Sequence, residues 1–139
     1  MGCSGEPKMV FSADLLAAYP SIPTQFQQQY GGNLVYYAAN DTAKEKMANI
    51  NKAIVDGEGF QAVFWKAKEY YLHHIMFRSN AIKVGGEALI GKSEDDIIGF
   101  FGEPKRRTKD ALIYVAHEIT LTVGLEDGVV TDCYLGHEI

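Results

Sequence analysis

The sequence predicts an α+β fold: N-terminal helices, then helices packed on a small antiparallel β-meander. Three observations carry that expectation. Residues 91–104 spell a short helix with both ends written in. Residues 119–125 alternate apolar and polar in the manner of a half-buried strand. Between them and the N-terminus, two stretches repeat apolar residues at the helical period. The chain has 139 residues, 47% of them hydrophobic and 22% charged, which suits one folded domain with its own core.

The capped helix is the clearest element. Ser93 is a good N-cap, and Asp96 stands where a capping-box side chain reaches back. Glu94, Asp95 and Asp96 put negative charge at the positive end of the helix dipole. Ile97, Ile98, Phe100 and Phe101 form its apolar side. Gly102 suits a left-handed residue past the end, and Pro104 forbids continuation.

In chain order, residues 1–8 read as a flexible tether and residues 9–139 as a single domain. Ser12 can cap a helix over 13–19, stopped by Pro20. Thr24 can cap a second over 24–30, anchored by Phe26 and Tyr30 and ended by Gly31-Gly32. Residues 34–39 suit a short strand. Thr42 and Glu45 form a capping box, opening a helix with Ala43, Met47, Ile50 and Ile54 as its buried stripe. Gly57 and Gly59 end it. Residues 60–77 are rich in aromatics, which favours strand. Phe60, Val63, Phe64, Ala67, Tyr70, Tyr71 and His74 nevertheless follow the helical period, and a long helix is expected. Val84-Gly85-Gly86 marks a turn. After the charged loop 105–110, strands are expected over 111–115, 119–125 and 129–135. For the last hairpin, a three-residue loop of Glu126, Asp127 and Gly128 would pair Leu125 with Val129, Val123 with Thr131 and Leu121 with Cys133, keeping the apolar set on one face.

The formal net charge is −5, with no dominant basic face, so nucleic acid is not an expected partner. No apolar run approaches the roughly 18 residues of a membrane span. Two cysteines are too few for a disulfide framework. Cys3, in Gly2-Cys3-Ser4-Gly5, looks like the lipidated cysteine of a bacterial lipoprotein, with Glu6, Pro7 and Lys8 as the start of a tether; the alternative is a chance cysteine in a tail. Cys133 is expected to be a buried strand residue.

Taken together, Gly91-Lys92-Ser93, Ile97, Phe101-Gly102-Glu103-Pro104, Tyr114 and the run Leu121-Thr122-Val123-Gly124-Leu125-Glu126-Asp127-Gly128-Val129-Val130 resemble the SmpA/OmlA (BamE-like) lipoprotein domain. That domain is related in shape to the β-lactamase inhibitor protein. The resemblance covers about the last third of the chain and rests on architectural residues. It implies a helical pair on an antiparallel sheet of about three strands. It also implies a protein that acts by binding other proteins, at the periplasmic face of a bacterial envelope membrane if Cys3 carries lipid and in the cytoplasm otherwise. No functional residue is carried over from it.

Chemistry-bearing motifs are few. His73-His74 is a metal candidate if His117 or Glu118 supplies a third ligand. The alternative is one ring half-buried and one solvated near Glu69, and neighbouring helical residues point about 100° apart, which favours it. Gly86-Glu87-Ala88-Leu89-Ile90-Gly91-Lys92-Ser93 matches a phosphate-loop string. The loop would place Leu89 and Ile90 against phosphates, and no parallel βαβ unit surrounds it. No Ser-His-Asp or Cys-His order is legible. No enzymatic activity, cofactor or metal is therefore expected. The cluster Lys105, Arg106, Arg107 and Lys109 is the candidate partner-binding patch, and another protein is the expected partner, with membrane contact through a lipid anchor alone. Two further readings are an inhibitor or immunity protein acting on a bacterial enzyme, and a nucleotide binder using residues 86–93.

Overall fold

The computed structural model describes residues 7–38 and 50–137. It corrects the expected architecture. The dominant element is an eight-stranded antiparallel sheet, and the helices are three short segments among the described residues. They are α1 (Asp14–Ala17), α2 (Pro23–Tyr30) and α3 (Glu94–Phe101). The strands are β1 (Asn33–Ala38), β2 (Ile50–Gly57), β3 (Phe60–Lys66), β4 (Tyr70–Phe77), β5 (Arg106–Arg107), β6 (Ala111–Ala116), β7 (Ile119–Glu126) and β8 (Val129–His137). Their order across the sheet is β1-β2-β3-β4-β8-β7-β6-β5. Each half is thus a four-stranded meander preceded by a helix, and the two halves meet at their last strands.

One face of the sheet carries the core. Ala53, Val55, Phe60, Ala62, Phe64, Leu72, Ile75, Phe77, Leu112, Leu121, Val123, Cys133 and Leu135 are buried there. Leu16 and Tyr19 near α1, Phe26 on α2, Ile97 and Phe101 on α3, and Ile82, Val84 and Leu89 from the connecting segment close over them. Phe26 is the peg of α2. Its ring lies 5.6 Å from Phe64, edge to face, and 4.5 Å from Tyr30. Pro23 in the first turn opens α2, where the sequence had suggested a Thr24 cap. Likewise α1 is a single turn with no side-chain cap, shorter than residues 13–19.

The expected helix over residues 60–77 is instead the β3–β4 hairpin. Phe60 pairs with Phe77, Ala62 with Ile75 and Phe64 with Leu72. The register slips between Val63 and Phe64, whose partners are His74 and Leu72, so His73 is an extra residue in β4. That bulge, together with apolar residues on both faces, spaces the buried positions irregularly and imitates a helical period. Similarly, Ile50 and Ile54 lie in β2, whose inward residues are Ala53 and Val55. The Thr42–Glu45 capping box lies outside the described residues.

The capped helix α3 is as expected. The Asp96 amide donates to Ser93 Oγ at 3.1 Å and the Ser93 amide to Asp96 Oδ2 at 3.4 Å. In the final hairpin Cys133 and Leu135 are buried, but the register differs from the expected one, and Val130 rather than Val129 is the buried partner of Leu125. The turn has two residues, Asp127 and Gly128, at φ 52° and 77°, with Glu126 opposite Val129. A bulge then shifts the ladder between Gly124 and Leu125, so Val123 faces Cys133 and Leu121 faces Leu135. The bulge performs the realignment that a longer loop would have supplied. At the N-terminal end, Lys8 and Met9 donate backbone hydrogen bonds to Gly99 and Phe100, 3.3 and 2.9 Å.

Candidate functional site

The second face of the sheet has no helix over it among the described residues. Pairing sets its composition. Asn33, Asp56, Gln61, Met76, Tyr134, Thr122, Ile113 and Arg106 stand opposite one another through all eight strands. A parallel row runs Val35, Ile54, Val63 and His74, and a third runs Tyr37, Lys52, Trp65 and Tyr71. Val35, Tyr37, Trp65 and Met76 are each between 42% and 45% exposed. They lie on β1, β3 and β4, with Lys52 and Asp56 of β2 between them.

At the middle of this face lies an aromatic and histidine cluster at the seam between the two halves. β4 pairs with β8 over only four positions, from His74–Gly136 to Phe77–Cys133. Gly136 makes the pairing possible: a Cβ there would lie 2.3 Å from the His74 Cβ and 2.4 Å from the His73 carbonyl oxygen. Trp65 stacks on His73 at 4.2 Å and Tyr134 on His74 at 5.1 Å, and both imidazoles are buried. The expectation of one solvated ring is therefore corrected. The bulge turns both rings to one side, which no helix would do.

The two Nδ1 atoms are 2.8 Å apart. One must donate and the other accept, so the contact needs at least one neutral ring. Burial lowers the pKa of His73, with further lowering from His137 and Lys52. Burial, then His73 and Lys52, lowers that of His74 to about 4. Groups whose charged form is disfavoured in the fold stabilise it above the unfolded imidazole pKa of about 6.5, and that stability fades as pH falls towards the folded value. Thermal unfolding should therefore show a melting temperature that drops between pH 7 and pH 4.5. The drop should be smaller in His74→Phe; an equal drop in both would remove these rings as its source.

As for metal, no three His, Cys, Asp or Glu side chains among the described residues are arranged to hold an ion. The basic cluster divides. Lys105 and Arg106 line a depression of about 370 Å³ on the uncovered face with Ile113, Val115 and Thr120. Arg107 turns the other way, its Nε 2.9 Å from Glu94 Oε1. Lys109 is exposed in the turn before β6. Cys3 lies outside the described residues. Cys133 is buried as expected, and burial pushes its thiol up to about 12, which makes it an inert core residue.

The phosphate-loop string is committed to other bonds. The Gly91 amide donates to the Val130 carbonyl at 2.9 Å, Lys92 to Leu89 at 3.1 Å, and Glu94 to Gly128 at 3.0 Å. A phosphate cradle needs those N–H groups free and a parallel sheet behind them. The sheet here is antiparallel throughout.

The uncovered face escaped the sequence reading because its rows depend on pairings between residues far apart in the chain. The aromatic content of residues 60–77 is the one local signal of it, and the helical period instead places those residues in a core stripe. Comparisons with protein-family models, with curated proteins and with solved structures returned no match.

Proposed function

We propose that this chain is a non-enzymatic protein-binding module, and that its docking surface is the uncovered face of the sheet. The observation that carries the proposal is the set of exposed Val35 and Tyr37 on β1, Trp65 on β3 and Met76 on β4, all on the face that no described helix covers. Aromatic residues and methionine are enriched at protein interfaces, and Lys105 and Arg106 give the far edge of the same face, at β5, a cationic rim. A rigid antiparallel sheet holds such a surface without the ordering cost that loops pay on binding. The resemblance of residues 91–130 to a family of binding proteins supports the same reading. The acidic residues of α3, Glu94, Asp95 and Asp96, lie on the element covering the opposite face. An inhibitor that used its acidic surface would dock there instead.

A photocrosslinker placed at position 65 or 76 in cells of the source organism tests this. The expected result is one defined heterologous adduct from both positions and none from position 95 on α3. Adducts from position 95 alone would move the docking surface to the acidic side. We also propose that Cys3 tethers the module to the periplasmic face of the envelope. Metabolic labelling with a fatty-acid probe should mark the native chain and not Cys3→Ala.

A further inference from the structure

A second site lies at the end of the sheet, beyond the last β4–β8 pair, and borders the docking face proposed above, sharing Tyr71 with it. There Tyr71 and Leu72 of β4 and His137 of β8 flank a cavity of about 760 Å³. Ala13, Leu16, Ala17, Tyr19 and Ser21 line it on the α1 side, and Ile119 with the exposed turn residues His117 and Glu118 lines the other, leaving it broadly open to solvent. Its volume falls in the range of pockets that take small organic ligands, and its make-up is theirs: apolar walls with a few polar groups grouped together. The apolar part comes from Ala17 of the one-turn helix α1 and its capping residue Ala13, with Leu16, Leu72 and Ile119.

Two features say what it suits. Among the described lining residues Glu118 is the one carboxylate, and no described lysine or arginine joins it. Nor does any described basic side chain pair with it, since the ion pair found is that of Arg107 with Glu94. The remaining polar groups are imidazoles and hydroxyls, which both donate and accept when neutral. Glu118 therefore sets the sign of the rim, which is negative. Second, His117 is held at φ 56°, the left-handed region, at the first position of a two-residue hairpin turn. Glycine fits that position without the cost a side chain incurs. Asp127 holds the same region in the β7–β8 turn, so the conformation belongs to the tight turn, and in the β6–β7 turn it sets His117 at the mouth of the cavity.

We infer that this cavity binds a small molecule with an apolar body and a protonated amine, the amine held by Glu118 with His117 and His137, the body lying on Leu72 and Ile119.

The test uses three matched probes on the full chain at pH 8, where imidazole is ordinarily neutral: 4-phenylbutylamine, 4-phenylbutanol and 4-phenylbutyrate. Titration followed by amide NMR shifts should give the amine about tenfold tighter binding than the butyrate, the size of effect a charge-assisted hydrogen bond gives. Shifts should centre on Leu72, Ile119 and Ala17. Glu118→Gln should abolish the preference without changing the melting temperature. His117→Gly should raise the melting temperature by relieving the turn, yet weaken the amine. Tighter binding of the butyrate, equal binding of all three, retention of the preference in Glu118→Gln, or absence of binding at millimolar probe would each overturn the assignment. So would His117→Gly if it stabilised the fold and left amine affinity intact.

Discussion

Phe64→Ala should destabilise the protein by about 3–5 kcal/mol, the usual cost of emptying a fully buried aromatic site. Phe64 has no exposed surface and stands where the two layers lock. Ala53 and Leu72 pair with it on the adjoining strands, and Phe26 meets its ring from α2 at 5.6 Å. None of those neighbours can fill the void: Ala53 is short, and Phe26 is already packed against Tyr30 and Phe60. Because a domain of this size is stable by only about 5–15 kcal/mol, the variant should unfold at a much lower denaturant concentration. Urea unfolding measures this directly. A loss below 1 kcal/mol would mean that α2 is not seated on the sheet as described.

The second large effect is expected at the seam. Gly136→Ala places a methyl 2.4 Å from the His74 Cα and the His73 carbonyl oxygen. Backbone cannot swing aside as a long side chain can. The pairing of β4 with β8 must therefore part, at a cost at or above the usual 1–3 kcal/mol of overpacking. That pairing joins the two halves of the sheet, so the loss should appear as broken cooperativity as well as a lower midpoint. Gly99→Ala is the matched control. A Cβ at Gly99, inside α3, meets nothing within 4 Å, and alanine there should stabilise by roughly 0.5–1 kcal/mol. Equal midpoints for Gly136→Ala and the native chain would show the seam to be loosely packed.

The legible part of this fold is the part governed by near neighbours. Ser93, Asp96 and Gly102 define α3 because capping depends on residues three or four apart. The alternation of Ile119, Leu121, Val123 and Leu125 marked β7 because one face of that strand is buried and the other is not. Residues 60–77 defied the same logic. Val63, His73 and His74 are buried on the face opposite to Phe64 and Leu72, and the bulge at His73 breaks the two-residue period. Aromatic content, the propensity signal set aside in favour of periodicity, was the correct guide there. The turn at Asp127-Gly128 was visible, but the compensating bulge beside Leu125 was not, since Val129 and Val130 are alike in character and only the pairing shows that Val130 takes the inward place. The seam was hidden for a simpler reason. The His74–Gly136 pair joins residues from separate meanders, and nothing local in either strand announces the other. The candidate patch at residues 105–109 was visible as charge, yet only the sheet shows that Lys105 and Arg106 face the uncovered side while Arg107 is paired with Glu94.

Trp65 is the single tryptophan of the chain and stands on the uncovered face, 43% exposed. Its fluorescence reports on that face and nothing else. Acrylamide quenching of the free chain is therefore the most direct test of an open docking sheet. Ready quenching, lost on adding the crosslinked partner, is the predicted result. Blue-shifted emission that resists acrylamide in the free chain would mean that the face is already covered, and would contradict the account.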